Sequence, residues 1–285
     1  MSNLIQGTPE WLQMRKNYVG ASDTPVIVGV NKYKKTPYIL WQEKLGLIED
    51  TSSSWATEYG TNLEPEARKV YEQMTNNLVA PCVIFHKEIP SMMASLDGLN
   101  IDGDLAVEIK CINKADHELA RQGIIPEQYK PQVYHQLECL GHDKMHYFSY
   151  NGGEGIIVEV FKDEQYQNYL KEQIIKFWEC VETFTSPAFT NDDFIERDKV
   201  WETIANDLMN VKNIIKNYEL QEALLQEKLK ELSHDKSSFS GEYRYTKSFK
   251  KGAINYSAIP ELKDVDLEKY RKDSTTMWRI SKIKL

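Results

Sequence analysis

Three residues of this chain are spaced to do chemistry together: Asp97, Glu108 and Lys110. The first lies in Ser95-Leu-Asp-Gly98 and the other two in Val107-Glu-Ile-Lys110, with a short acidic turn between. Side chains at i and i+2 of a strand share a face, so Glu108 and Lys110 project together with Ile109 behind them. Asp97 is expected on a turn, and a hairpin through Gly98 to Gly103 would swing its carboxylate alongside. Two carboxylates and an ammonium at one point are costly to bury unless a cation joins them. Oxygen-only donors suit Mg²⁺ or Mn²⁺, and the lysine could orient, or help deprotonate, a water held on the metal. That is chemistry for hydrolysing phosphodiesters. Taken alone, Asp-Gly is also a common turn and Glu-x-Lys a common solvated strand face, so the surroundings have to decide.

Two helices flank the pattern. Upstream, Tyr59-Gly-Thr-Asn-Leu-Glu-Pro-Glu-Ala-Arg68 is expected to open one, with Thr61 or Asn62 as cap and Pro65 in the first turn. Glu64 would then sit where the helix dipole favours a carboxylate, which is also its plain structural explanation. Downstream, residues 129–140 are expected to form a helix that stops at Gly141. Gln132 and Gln136 share one of its faces, as solvated glutamines often do.

The order of these motifs adds more than any one of them. Gly60-x-x-x-Glu64 on a helix, Ser95-x-Asp-Gly98, Glu108-x-Lys110, then Gln132-Val-x-His-Gln-Leu137 resembles the PD-(D/E)XK nucleases. Within that superfamily the chain resembles the phage lambda-type exonucleases, also called YqaJ-like viral recombinases. Trp11-Leu-Gln-Met-Arg15 followed by Gly20-Ala-Ser22 matches the family's opening, and the resemblance covers roughly residues 7–185.

The resemblance implies the following roles. Asp97 and Glu108 would be metal ligands together with the Ile109 carbonyl. Lys110 would be the catalytic lysine beside the attacking water, and Glu64 would serve a second ion directly or through water. Gln132 would position the scissile phosphate or water. Arg15, Ser22 and Ser95 would form a pocket for a 5′-terminal phosphate. The implied cofactor is Mg²⁺, with Mn²⁺ as substitute and two ions in all. The implied partners are double-stranded DNA, a single-strand annealing protein and further copies of the chain in a ring-shaped trimer. Two departures stand out. The family often shows Gln-x-Gln on the late helix, but position 134 is Tyr, so Gln132 is preferred to Gln136 by register only. A basic residue expected about six after the lysine is Asp116, leaving Lys114 or Arg121 as substitutes.

Composition permits this reading without suggesting it. A chain of 285 residues, 41% hydrophobic, has enough for one sizeable core and an appendage. The net charge of −8 runs against a simple nucleic-acid binder. The charge is unevenly spread, however, and residues 236–285 carry 12 Lys/Arg against 6 Asp/Glu. There Tyr243, Arg244, Tyr245, Lys247, Phe249, Lys250 and Lys251 interleave rings and cations, as a DNA-facing strand or a lysine-protected edge strand would. Cysteines 82, 111, 139 and 180 have no Cys-x-x-Cys spacing, which argues against zinc and iron–sulfur sites. With no leader-like or span-length apolar stretch, a cytoplasmic protein without membrane association is expected, of phage or prophage origin by the resemblance.

The expected fold class is α/β: a PD-(D/E)XK restriction-endonuclease-like core of mixed sheet flanked by helices, plus a long C-terminal helix and a small basic tail. Strands are expected at 79–88, 92–95, 105–111, 144–150 and 156–161, and an amphipathic helix at 163–184. The nuclease domain would span 1–187, a heptad-patterned helix 196–234 and the basic segment 236–285. In the helix the apolar residues from Trp201 onward fall at 204, 208, 211, 215, 218, 225, 229 and 232, with Glu222 breaking the run. That suits either a coiled coil or a helix packed on its own domain. Three functions remain open: a 5′-to-3′ exonuclease leaving 3′ overhangs, an endonuclease on the same core, and a non-catalytic DNA-binding relative.

Overall fold

Thr-Pro pairs start two helices, as their chemistry requires. Thr8 Oγ1 accepts from the Trp11 amide at 3.3 Å to open α1 (Pro9–Arg15). Thr36 Oγ1 accepts from the Ile39 amide at 3.1 Å to open α3 (Pro37–Lys44). Between them come β1 (Val19–Gly20), a three-residue 3₁₀ turn (Ala21–Asp23) and α2 (Thr24–Ile27). The computed structural model describes residues 8–32, 34–49, 55–253, 255–262 and 265, with backbone alone for 55–62 and 257. The chain divides into two compact units, Met1–Ile195 and Glu196–Leu285.

The first unit continues with α4 (Trp55–Thr75), β2 (Val79–Phe85), β3 (Met92–Asn100), β4 (Ala106–Cys111), α5 (Lys114–Arg121), α6 (Lys130–Leu140), β5 (Lys144–Tyr150), β6 (Gly155–Phe161) and α7 (Glu164–Glu182). The sheet runs β1-β3-β4-β5-β6, with β2 also paired to β3. The β1–β3 and β4–β5 pairs are parallel and the others antiparallel, so the sheet is mixed. Alternation along β4 and β5 feeds two layers. Val107, Ile109 and Phe148 pack with Ala67 and Tyr71 of α4. Ala106 and Tyr147 pack with Val133 and Leu137 of α6. Helices therefore cover both faces, the α/β arrangement of a PD-(D/E)XK core.

Two expectations are corrected. Asp97 is not on a turn but inside β3, which runs five residues further than expected. The turn lies beyond it, where Asn100 Oδ1 accepts from the Asp104 and Leu105 amides, both at 3.0 Å, and Gly103 takes φ +74°. Gly98 is in the strand for lack of space: a Cβ there would meet Val79 Cγ2 at 2.6 Å and Val107 Cγ1 at 2.8 Å. Second, α4 begins at Trp55, so Glu64 stands mid-helix rather than in a first turn capped by Thr61 or Asn62. Ser22 lies within a 3₁₀ turn closed by the Asp23 carboxylate on the Gly20 amide, at 2.9 Å.

In the second unit, α8 (Lys199–Leu232) is opened by Asp198 on the Trp201 amide and contains no buried residue. A small hairpin of β7 (Ser238–Ser240) and β8 (Tyr243–Tyr245) follows, turning at Gly241 with φ +59°. Lys247 closes on Asp235 at 2.5 Å. Tyr243, Tyr245 and Phe249 are exposed. No helix among the described residues is long and apolar enough to cross a membrane.

Candidate active site

A fault in the sheet creates the site. The β2–β3 register slips between Ala80 and Cys82, so one residue, Pro81, faces two, Asp97 and Gly98. Proline has no amide to donate and is tolerated at such a bulge. Bulges bend a strand and re-aim its side chains. On its other side β3 pairs with β4 only at Gly98 and Leu99. From there the two strands part, and side chains satisfy the backbone groups that a ladder would have used. Asp97 Oδ2 accepts from the Ile109 amide at 2.7 Å, and the Ser95 carbonyl accepts from Gln136 Nε2 at 3.0 Å.

Glu108 and Lys110 project together on β4, as the strand period requires. Lys110 Nζ lies 2.5 Å from Glu108 Oε1 and 5.3 Å from the centroid of the Tyr129 ring. Glu108 is only 1% exposed, so its carboxylate needs full satisfaction. Helix α6 supplies it. Gln132 Nε2 donates to Oε1 at 2.5 Å, and Gln136 Nε2 donates to Oε2. Both glutamines therefore reach the site, where register alone favoured Gln132. Burial pushes the Lys110 pKa down, but Glu108 and Asp97 outweigh it and the ammonium is held above its ordinary value.

On the other side of the gap, α4 brings Arg68 to the Asp97 carbonyl at 3.1 Å, and the same guanidinium holds Glu64. Burial raises the Asp97 pKa well above the carboxylate range, and the charges of Glu108 and Glu64 add to this, against Lys110 and the Ile109 amide. Three carboxylates thus share a confined region with two cations. Among the described residues no three Asp, Glu, His or Cys side chains close on one point. The donor chemistry still fits a hard divalent ion, because the crowding that raises the Asp97 pKa is the crowding a cation would relieve.

The proposed end-phosphate residues come together only in part. Arg15 Nη2 donates to Ser22 Oγ at 2.8 Å, and its guanidinium stacks 4.7 Å from the Trp11 ring centroid. It also pairs with Asp23 at 3.4 Å, an acid the sequence reading did not weigh. Burial pushes the Asp23 pKa up, but Lys44 at 2.6 Å, Arg15 and the Gly20 amide bring it down to about 2. The parallel pairing of β1 with β3 ends at Gly20↔Met93, two residues short of Ser22 and Ser95, and the Ser95 carbonyl is taken by Gln136. Asp116, standing where a base was expected, is buried and accepts from Asn113 at 2.8 Å, Gln128 at 3.1 Å and Lys32 at 3.5 Å. Arg121 is paired with Glu118 and Glu154.

His135 is the residue whose role the sequence reading missed, although it stands between the two glutamines. Its Nε2 donates to the Met93 carbonyl at 2.9 Å, which leaves Nδ1 to accept from Thr24 Oγ1 at 2.7 Å. One neutral ring thus ties α6 to β3 and α2, and so sets where Gln132 and Gln136 stand. Burial takes its pKa from 6.5 down to about 4, despite the Met93 carbonyl and Asp23. Between those values the unfolded chain binds more protons than the folded one, so this ring's contribution falls as pH falls. About 2 kcal/mol should be lost from pH 7 to pH 5 through this group. Urea unfolding at the two pH values tests it: His135→Gln should flatten the difference, and an unflattened one would assign the titration elsewhere.

A mixed sheet covered by helices, with Asp97 and Glu108-x-Lys110 where two of its strands part, defines an α/β domain of the PD-(D/E)XK class. Residues 10–143 match the YqaJ-like viral recombinase domain. The chain is 29% identical over 175 residues to the uncharacterized protein YqaJ of Bacillus subtilis strain 168, across 59% of this chain and 54% of that one. It therefore spans about half the length of this curated relative. The alkaline exonuclease LHK-Exo from Laribacter hongkongensis has a similar structure, with a TM-score of 0.54 at 25% identity over 62% of this chain and 94% of that one. Its complex with dAMP gives the same TM-score of 0.54 at 26% identity.

Proposed function

We propose that the chain is a metal-dependent deoxyribonuclease: an exonuclease that hydrolyses linear duplex DNA from its 5′ ends. The 3′ single strands it leaves would serve a partner annealing protein in phage-type recombination. The observation that carries the reading is the Glu108–Lys110 pair, braced by Gln132 and Gln136 beside Asp97 in the gap between β3 and β4. The likeness to an alkaline exonuclease supports the reaction class, and the dAMP held by that relative has the chemistry of an exonuclease product.

Asp97, Glu108 and the Ile109 carbonyl would hold Mg²⁺, or Mn²⁺ in its place, with Glu64 serving a second ion. When bound, the metal supplies Lewis-acid polarisation of the phosphate and an acidified water. The protein's own groups do the rest. Lys110 keeps its ammonium at the reacting centre, where it can orient the attacking water and offset charge building on the phosphate. Gln132 and Gln136 hold the Glu108 carboxylate still, which makes them positioning residues. Arg68 holds Glu64 and the Asp97 backbone together.

End-labelled linear duplex and closed circular plasmid, each incubated with Mg²⁺ and with EDTA, test the reading. Linear DNA alone should be degraded, and only with metal. Cutting of the circle would establish the endonuclease, and no cutting of either would leave a binding protein. The Asp23 carboxylate on Arg15 favours the endonuclease as runner-up, because that guanidinium is already partly neutralised. Arg15 and Ser22 nevertheless present a charge-assisted donor pair suited to a terminal phosphate. If they hold one, 5′-phosphorylated duplex should be digested at least about tenfold faster than 5′-hydroxyl duplex. Arg15→Ala should erase that preference, whereas equal wild-type rates on both ends would remove the pocket.

A further inference from the structure

The apolar seam of α8 is the largest feature that the nuclease reading does not use. Its seam residues from Trp201 to Leu232 are each between 46% and 78% exposed, except Glu222, which is exposed but not apolar. A monomeric protein rarely presents such a continuous stripe to water. The spacing alternates three and four, placing Trp201, Leu208, Ile215, Glu222 and Leu229 at a positions, with Ile204 through Leu232 at d. The stripe runs about 50 Å, at 1.5 Å per residue.

We propose that α8 pairs with α8 of a second copy of this chain as an antiparallel two-stranded coiled coil. Charge complementarity selects both the partner and the direction. Antiparallel pairing sets each a residue against a partner d residue, and full overlap from Trp201 to Leu232 puts Glu222 opposite Val211. Parallel pairing would set Glu222 against its own copy in the core, two like charges at one buried layer. On the flanks of the full-overlap antiparallel pair, Asp207 meets Lys228 and Lys212 meets Glu219, each contact occurring twice. A slip of one heptad in either direction sets Lys212 against Lys212 or Glu219 against Glu219. The arrangement that buries the most seam is thus also the one in which every flanking charge meets its opposite.

Sedimentation equilibrium of the full chain tests this. The particle should contain an even number of chains, and Leu208→Asp/Ile215→Asp should halve its mass. An odd number, a threefold fall or an unchanged mass would overturn the pairing. Direction is tested by charge exchange, which leaves the seam intact. Asp207→Lys should weaken association about tenfold, by setting lysine against Lys228 at two places. Asp207→Lys/Lys228→Asp should restore it. In a parallel pair Asp207 would face Lys212 instead, so failure of the double exchange to restore the mass would rule out the antiparallel arrangement.

Discussion

Asp97→Asn is expected to abolish cleavage while raising the thermal stability of the metal-free protein. The two effects have one cause. The Asp97 carboxylate is penalised by burial and by the charges of Glu108 and Glu64, so the folded state bears a cost for this group at neutral pH, whether in holding its charge or in taking up a proton. Asparagine removes that charge, and its Oδ1 can still accept from the Ile109 amide as Asp97 Oδ2 does at 2.7 Å. The melting temperature in EDTA should therefore rise. A missing ligand forfeits several kcal/mol of barrier lowering, so turnover of linear duplex in Mg²⁺ should fall at least about a thousandfold. Glu108→Gln should lose as much activity but also lose stability, because Lys110 would stay buried beside a neutral amide. Scanning fluorimetry with EDTA and label release with Mg²⁺ read both quantities. An Asp97→Asn protein that melts lower, or that still cuts, would show that this carboxylate is a structural acceptor for β4 and no more.

Opposite signs on stability and activity are what a functional carboxylate should give, since its charge is retained for what it binds. The same contrast explains which parts of the site could be read from the chain. Glu108 and Lys110 were legible because two residues on one strand share a face by geometry alone. A helix cap such as Thr8 or Thr36 is likewise local, a contact across only three residues. Asp97 was found in type and order but misplaced. The bulge that aims it forms opposite Pro81 on a neighbouring strand, and Asp-Gly in isolation reads as a turn. The two-residue strand β1 escaped notice because its partner lies at Met92 and Met93, more than seventy residues away. Choosing between Gln132 and Gln136 also needed the tertiary structure, in which His135 docks the helix and both amides reach Glu108. Asp23 was overlooked beside Ser22 for the same reason, since only the fold brings Lys44 and Arg15 onto it.

Lys110→Ala is expected to cut turnover by two to three powers of ten, about 3–4 kcal/mol of barrier, while duplex binding stays within a fewfold of wild type. A single ammonium adds little to binding that many phosphate contacts share. At the proposed reacting centre it would act on charge that develops only in the transition state, so its loss should appear in kcat. Lys110→Arg is the sharper test. The ammonium is a point charge set between the Glu108 carboxylate at 2.5 Å and the Tyr129 ring at 5.3 Å. A planar guanidinium is larger and would fork onto the carboxylate or stack on the ring, and either placement carries its charge away from the water. Arginine should therefore restore the stability that alanine loses, because Glu108 regains a buried cation, without restoring turnover. Single-turnover cleavage in Mg²⁺, binding in Ca²⁺ and melting in EDTA separate the three quantities. An active arginine variant would reduce Lys110 to a charge partner of Glu108 and a contact for phosphate, and the proton and water chemistry would then have to be assigned to other groups in the gap between β3 and β4.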